Sequence, residues 1–197
     1  LLPITLIFRI FIFLNKKFSN AIKFNSKIIC VGNINLGGTG KTPLAIFIAN
    51  TLKELSKKTS IVRKYYKNHV DEHLLIKEYY NELIIDRDRI NAIYNAERQG
   101  FEYVILDDGF QDYRIKKNVN ILCFNENQLI GNGMIFPSGP LRDEITSLKD
   151  VHLVLINGNK NIAFENKILK INREIKIFYS KYQPLNLEKF KNKNLLA

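Results

Sequence analysis

One octapeptide, Asn35-Leu-Gly-Gly-Thr-Gly-Lys-Thr42, narrows the possible folds more than any other stretch of the chain. It follows a short apolar run, residues 27–32, that reads as a buried strand. It precedes residues 43–57, where Leu44, Ile48, Leu52 and Leu55 recur at helical spacing. Pro43 suits the first turn of that helix, where its missing amide hydrogen costs nothing. Small residues between a strand and a helix let successive amides turn toward phosphate oxygens, with the positive end of the helix beneath them. Gly37, Gly38 and Gly40 supply the permissive backbone around Thr39. Lys41 is placed to reach the β- and γ-phosphates, and the Thr42 hydroxyl to bind magnesium. Gly37, Gly38, Thr39, Gly40, Lys41 and Thr42 are therefore the expected cofactor-binding set, with ATP and Mg²⁺ as ligands. Asn35 stands where such loops usually carry their first glycine.

The apolar run 103–106 ends on Asp107 and Asp108. Carboxylates at the carboxyl end of a buried strand lie where open parallel sheets bind ligands, so both are expected near the metal. Further strands are expected at 60–65, 83–86, 119–125 and 151–157, and helices at 71–81 and 87–99. This alternation predicts an α/β fold with a doubly wound, mainly parallel sheet of the P-loop type. Residues 1–26 form an expected N-terminal membrane-associated helix and residues 27–160 the core. Residues 161–197, with apolar runs at 167–172 and 176–182, are expected to form a C-terminal β-ribbon leading to a further lobe.

At 197 residues, with 46% hydrophobic and 25% charged content, the chain has enough apolar material for one sizeable core. It opens on Leu1 and closes on an apolar run, which reads as a piece of a longer protein. The net charge of +11 suits an acidic partner, but no aromatic-basic platform accompanies it, so nucleic acid is not expected. Cys30 and Cys123 lie in apolar runs and predict buried, reduced thiols rather than a disulfide framework or zinc site. His69, His73 and His152 show no ligand spacing. The stretch 1–14 is the most hydrophobic, yet Arg9 and Lys16-Lys17 leave it short of the roughly 20 apolar residues of a spanning helix. A helix lying in a membrane interface is expected instead.

Four blocks together resemble the tetraacyldisaccharide 4'-kinase family. They are the phosphate loop within 31–43, Asp107-Asp108-Gly-Phe-Gln111, the stretch Gly131-Asn-Gly-Met-Ile-Phe-Pro-Ser-Gly-Pro-Leu-Arg142, and Val70-Asp-Glu-His-Leu-Leu75. The resemblance implies an ATP- and magnesium-dependent kinase that phosphorylates the 4'-hydroxyl of an acylated disaccharide lipid at the cytoplasmic face of the bacterial inner membrane. By the same resemblance Asp71 is the general base and Arg142 stabilises the transferring phosphoryl group, with Lys41 completing the catalytic set. Thr42, Asp107, Asp108 and Asp143 form the metal set. Arg63 matches an arginine of a family turn whose first glycine is Lys64 here. The family has a carboxyl-terminal lobe that supplies a supporting His, so the chain alone is expected to turn over poorly.

Two other readings remain open from the residues. A deviant Walker ATPase of the partition type also uses Gly-Gly-x-Gly-Lys-Thr, but places Lys where this chain has Leu36. A nucleotide-gated adaptor at the membrane would bind nucleotide without transferring phosphate. Oligomeric state is not readable from the sequence.

Overall fold

The computed structural model describes residues 1–67, 70–181 and 183. Its elements in chain order are α1 (Leu2–Phe18), β1 (Lys27–Gly32), α2 (Lys41–Glu54), β2 (Thr59–Lys64), α3 (Val70–Tyr79) and β3 (Leu83–Asp86). Then come α4 (Arg89–Arg98), β4 (Tyr103–Asp107), β5 (Val119–Asn125), β6 (Leu153–Asn157), α5 (Ile162–Ile171) and β7 (Lys176–Ser180). The strands form one sheet in the order β3-β2-β4-β1-β5-β6-β7, and every pairing is parallel.

Alternation along each strand divides the core in two. Ile28 and Cys30 of β1, with Val104, Leu106, Leu122 and Phe124, pack on one face against Ala92, Ile93 and Ala96 of α4 and Phe164 and Ile168 of α5. Val31, Ile61, Ile105, Ile121 and Cys123 face the other way, onto Ala45 and Ala49 of α2 and Ile76 and Tyr80 of the α3 segment. A sheet covered on both faces accounts for apolar runs without polar alternation. Both cysteines are free and buried, as expected, and burial pushes the Cys30 thiol up to about 11.

The helix α1 is built inside out for a water-soluble protein. Its polar residues Thr5, Arg9 and Lys16 fall on one helical stripe and point at the domain. Thr5 Oγ1 meets Ser138 Oγ at 2.7 Å, Arg9 pairs with Glu144 at 2.8 Å, and Lys16 reaches Asp150 at 3.5 Å. Phe8 packs edge-on against Phe136. Leu2, Leu6, Ile7, Ile10, Phe11, Phe13 and Phe18 remain exposed on the outside. No helix among the described residues is long and apolar enough to cross a membrane.

The expected β-ribbon is not formed. Residues 167–171 belong to α5, and β7 adds to the edge of the main sheet, from Leu153↔Lys176 to Asn157↔Ser180. Residues 161–180 thus continue the core; Tyr182 and residues 184–197 lie outside the described residues. A short apolar run such as 167–172 is ambiguous by periodicity alone. The arbitrating signals are Phe164, Ile168 and Ile171 at helical spacing, and Asn161, whose side chain accepts from the Phe164 amide at 3.0 Å to cap the helix. Because Ile168 is fully buried, Ile168→Ala is expected to lower the unfolding free energy by about 2–5 kcal/mol in urea denaturation. A loss no greater than that of Lys167→Ala at the exposed neighbouring position would contradict this packing.

Candidate phosphate-loop and phosphoryl-transfer site

Strand β1 lies between β4 and β5, where the order of connections reverses, so the loop leaving it opens into the crevice at the strand ends. Gly37 and Gly40 adopt φ of 110° and 82°, values at which a side chain is strained, and Gly40 immediately precedes α2. No side chain caps the amino end of α2, so its first amides point into the loop. Lys41 begins the helix. Burial lowers its ammonium below the ordinary lysine value, against the pull of Asp108.

The loop is held from outside by groups that the sequence reading passed over. Asn33 is fully buried, and its amide donates to Thr39 Oγ1 at 3.0 Å and to the Gly37 carbonyl at 3.3 Å. Its own backbone carbonyl accepts from Gln111 at 2.8 Å and from Arg142 at 3.2 Å. Asn35, at the usual glycine position, is also buried, and its side chain donates to the Leu129 carbonyl. The next amide, Leu36, donates to Pro140 at 2.8 Å, while the Arg142 amide donates to Ile34 at 2.7 Å. The segment 131–142 is thus a strut laid against the phosphate loop. It folds on itself through Asn132 to Ser138 and Leu141 to Met134. At Gly139 a Cβ would lie 2.4 Å from the Met134 carbonyl, so this turn leaves no room for a side chain.

At the end of β4, Asp107 is fully buried and Asp108 takes a positive φ of 59° that turns its carboxylate into the crevice. The Arg142 guanidinium grips Asp108 with both terminal nitrogens, at 2.7 and 3.2 Å. Burial alone would raise the Asp108 carboxyl, but Arg142 and Lys41 hold it below the usual carboxylate range. Asp107 goes the other way: burial raises it, Asp108 adds repulsion, and Arg63 only partly opposes them. Asp107 Oδ2 accepts from Thr42 Oγ1 at 3.1 Å and from Arg63, while Oδ1 is buried without a partner among the described residues.

These residues fit magnesium. Adjacent oxygens of an octahedral magnesium shell lie about 3.0 Å apart, given bonds of roughly 2.1 Å, close to the separation of Thr42 Oγ1 and Asp107 Oδ2. The orphaned Asp107 Oδ1 is a further buried acceptor. Among the described residues no group of three or more His, Cys, Asp and Glu forms an all-protein cage, which suits an ion completed by phosphates and water.

Two expected residues stand apart from this cluster. Asp143 is buried, but its carboxylate accepts from the Tyr113 hydroxyl at 2.6 Å and from the Glu144 amide at 2.7 Å. It makes no hydrogen bond or ion pair with Thr42, Asp107 or Asp108, so the structure gives it a structural bond set where a metal contact was expected. Arg142 takes the crevice, while Asp143 turns inward to Tyr113. Asp71 is exposed at the start of α3. Its neighbour Glu72 pairs with Arg63, which also touches Asp107, so α3 is tied to the cluster at one remove.

Beyond the loop, Asn125 and Asn157 end β5 and β6 and donate to the Gly38 carbonyl at 3.5 Å and the Thr39 carbonyl at 2.5 Å. With Glu126, Gly158 and Lys181 they line a polar cavity of about 330 Å³ next to the phosphate loop. Both asparagines end apolar runs, a signal visible in the sequence but not used. On the other side of Arg142, a cavity of about 370 Å³ is lined by Lys64, Arg89, Asp108 and Gln111.

A strand-ending phosphate loop, paired acidic residues on the adjacent strand and an all-parallel sheet with the switch point at β1 define a P-loop nucleotide-binding fold. A profile of the tetraacyldisaccharide-1-P 4'-kinase family matches residues 1–197. The chain belongs to that family. It is 44% identical over 184 residues to the tetraacyldisaccharide 4'-kinase of Pelagibacter ubique, covering 92% of this chain and 57% of that protein. With the Ruthia magnifica protein of the same name it shares 33% identity, covering 80% of this chain and 58% of the relative. The chain therefore spans less than two thirds of the length of these relatives. Among solved structures, LpxK from Aquifex aeolicus in complex with ATP superposes with a TM-score of 0.68 at 20% identity, covering 92% of this chain and 80% of that one. The signal recognition particle 54 kDa protein of Aeropyrum pernix with GDP reaches 0.54 at 12% identity, covering 85% and 46%. Both likenesses concern the fold.

The asparagine at the usual glycine position leads to a test. Asn35→Gly restores the common loop sequence but removes a buried hydrogen bond and adds backbone freedom. It is expected to cost about 1–2 kcal/mol in stability and to bring no gain in nucleotide affinity. Unchanged thermal stability with tighter ATP binding would contradict the anchoring role of Asn35.

Proposed function

We propose that this chain is the nucleotide-binding lobe of a kinase that transfers the γ-phosphoryl group of ATP to the 4'-hydroxyl of a tetraacylated glucosamine disaccharide 1-phosphate. The observation that carries this reading is the convergence of Lys41, Thr42, Asp107, Asp108 and Arg142 on one phosphate loop in a chain of this family. Phosphoryl transfer asks little covalent chemistry of the protein; positioning and charge neutralisation dominate. The loop amides and Lys41 hold the β- and γ-phosphates. Thr42 and Asp107 would hold magnesium, with Asp108 beside them. An ion bound there would neutralise charge on the phosphate oxygens. Arg142, already aimed into the crevice by its grip on Asp108, is placed to meet charge on the moving phosphoryl group. Asp71 accepts the proton of the acceptor hydroxyl. Its exposure at the start of α3 leaves it open to an incoming sugar.

The acceptor is amphipathic, and α1 suits it. Its outward apolar face and the exposed positive charge of Lys17 favour an anionic membrane surface, with the helix lying in the interface. Between α1 and the strut runs a groove of about 290 Å³, from Phe8 and Phe11 past Phe136 and Leu141 to Gln111 and Arg142. Such a path leads from lipid to the phosphoryl site. We place the protein peripherally at the cytoplasmic face of the inner membrane.

A single-turnover incubation with labelled ATP, Mg²⁺ and the disaccharide 1-phosphate lipid tests the assignment. Label is expected in the lipid, and Asp71→Ala is expected to reduce the transfer rate at least about 100-fold while leaving ATP binding intact. ATP binding with no acceptor-dependent product, even from a version extended past Ala197, would contradict the kinase reading and favour a nucleotide-gated adaptor. Hydrolysis indifferent to the lipid would favour an ATPase.

A further inference from the structure

Among the described residues, Arg63 touches both the expected metal oxygens and the helix bearing the expected base. It projects from β2 directly beside Asp107, its register partner on β4, so the two backbones are held side by side by the sheet. Its guanidinium sits on Thr42 Oγ1 at 3.3 Å and on Asp107 Oδ2. Its other terminal nitrogen pairs with Glu72 of α3. The side chain is buried, whereas that of Glu72 is nearly half exposed.

The two oxygens under the guanidinium are the pair whose spacing fits magnesium. A guanidinium and a divalent cation cannot share them, because two positive centres at contact distance repel strongly where solvent screening is weak. The backbone of Arg63 is fixed by sheet pairing on both sides, so only its side chain can respond. Glu72 is the anion already in its reach. The pair also has unused bonding capacity: Arg63 Nε and Asp107 Oδ1 are both buried without partners among the described residues.

We propose that Arg63 and magnesium are alternative occupants of the Thr42–Asp107 pair, and that metal binding hands the guanidinium over to Glu72. Arg63 is then a positioning residue. In one arrangement it neutralises the buried Asp107; in the other its full charge goes to the first turn of α3, one residue from Asp71. Arrival of the metal-nucleotide complex thereby tightens the helix that carries the base. The inference rests on the nucleotide reading above, though not on the identity of the acceptor.

The test measures ADP affinity as a function of Mg²⁺ concentration, by calorimetry at one fixed pH. Arg63→Gln removes the competitor, and the half-saturating Mg²⁺ concentration is expected to fall about fivefold. Glu72→Gln leaves Arg63 with Asp107 as its only anion, and the half-saturating concentration is expected to rise about threefold. Amide hydrogen exchange supplies a second readout: Mg²⁺-ADP is expected to slow exchange across 71–79 in the wild type and to leave it unchanged in Glu72→Gln. Circular dichroism confirms that each variant is folded. Should Arg63→Gln fail to fold, the opposite shift in Glu72→Gln still decides. Shifts of both variants in the same direction, or none in either, would overturn the exchange and leave Arg63 a structural ion pair. Absence of Mg²⁺-dependent ADP binding in the wild type would overturn the nucleotide reading and this inference with it, whereas failure of lipid phosphorylation alone would touch only the acceptor assignment.

Discussion

The site depends on a pair of backbone hydrogen bonds joining two loops that are about a hundred residues apart in sequence: Leu36 to Pro140, and Arg142 to Ile34. Through them the strut 131–142 and the phosphate loop become one object. They place Arg142 beside Asp108 and stack Asn33 between the loop it braces and the arginine it receives. A glycine loop free in solvent would lose its conformation to entropy. Here its entry is pinned by Asn33 and Asn35 from within, and by Gln128, Asn125 and Asn157 from the side of the following strands. Glycine is then needed only where φ turns positive, and an asparagine serves where most such loops have their first glycine.

The same geometry concentrates charge at a place where burial is costly. Asp107 and Asp108 are consecutive, and like charges so close oppose each other's ionisation. The structure separates them by sending one inward to Arg63 and Thr42 and the other outward to Arg142. The directions of their shifts follow: Asp107 raised by burial, Asp108 held down against burial by its arginine and Lys41. Two arginines from different elements thus set apart the two carboxylates. The polar stripe of α1 extends this cluster of ion pairs through Arg9 to Glu144, immediately beyond the strut. The helix that exposes its apolar face is therefore docked through its polar one, and the groove between α1 and the strut ends at Gln111 and Arg142.

Much of this was legible in the residue order. Apolar runs alternating with helical stripes specify a doubly wound parallel sheet, because strands buried on both faces need unbroken hydrophobicity and parallel neighbours need crossovers. Lys41, Thr42, Asp107 and Asp108 were readable because each stands at a strand end or helix start, positions that local pattern defines. The stretch 131–142 was readable as a resemblance, though nothing local to it says that it braces the phosphate loop. Residues 167–172 were misread, since six residues rich in Ile and Lys satisfy a strand as well as a turn and a half of helix. The decision fell to contacts of Phe164 and Ile168 with β5, β6 and the turn after the strut.

What the sequence determined by itself, then, was the sheet, the phosphate loop and the identity of the charged groups near it, all consequences of short-range pattern. Tertiary structure alone decided which charge meets which. Arg63 finds Asp107 because β2 pairs with β4 in that register; Asp143 meets Tyr113 while its neighbour Arg142 meets Asp108; Asn33 and Asn157 become loop anchors because distant strands end at one edge. The physical reason is range. Backbone propensity and hydrophobic period act over a few residues and are written along the chain, whereas hydrogen bonds and ion pairs among buried polar groups exist only once the sheet has brought their owners within about 3 Å.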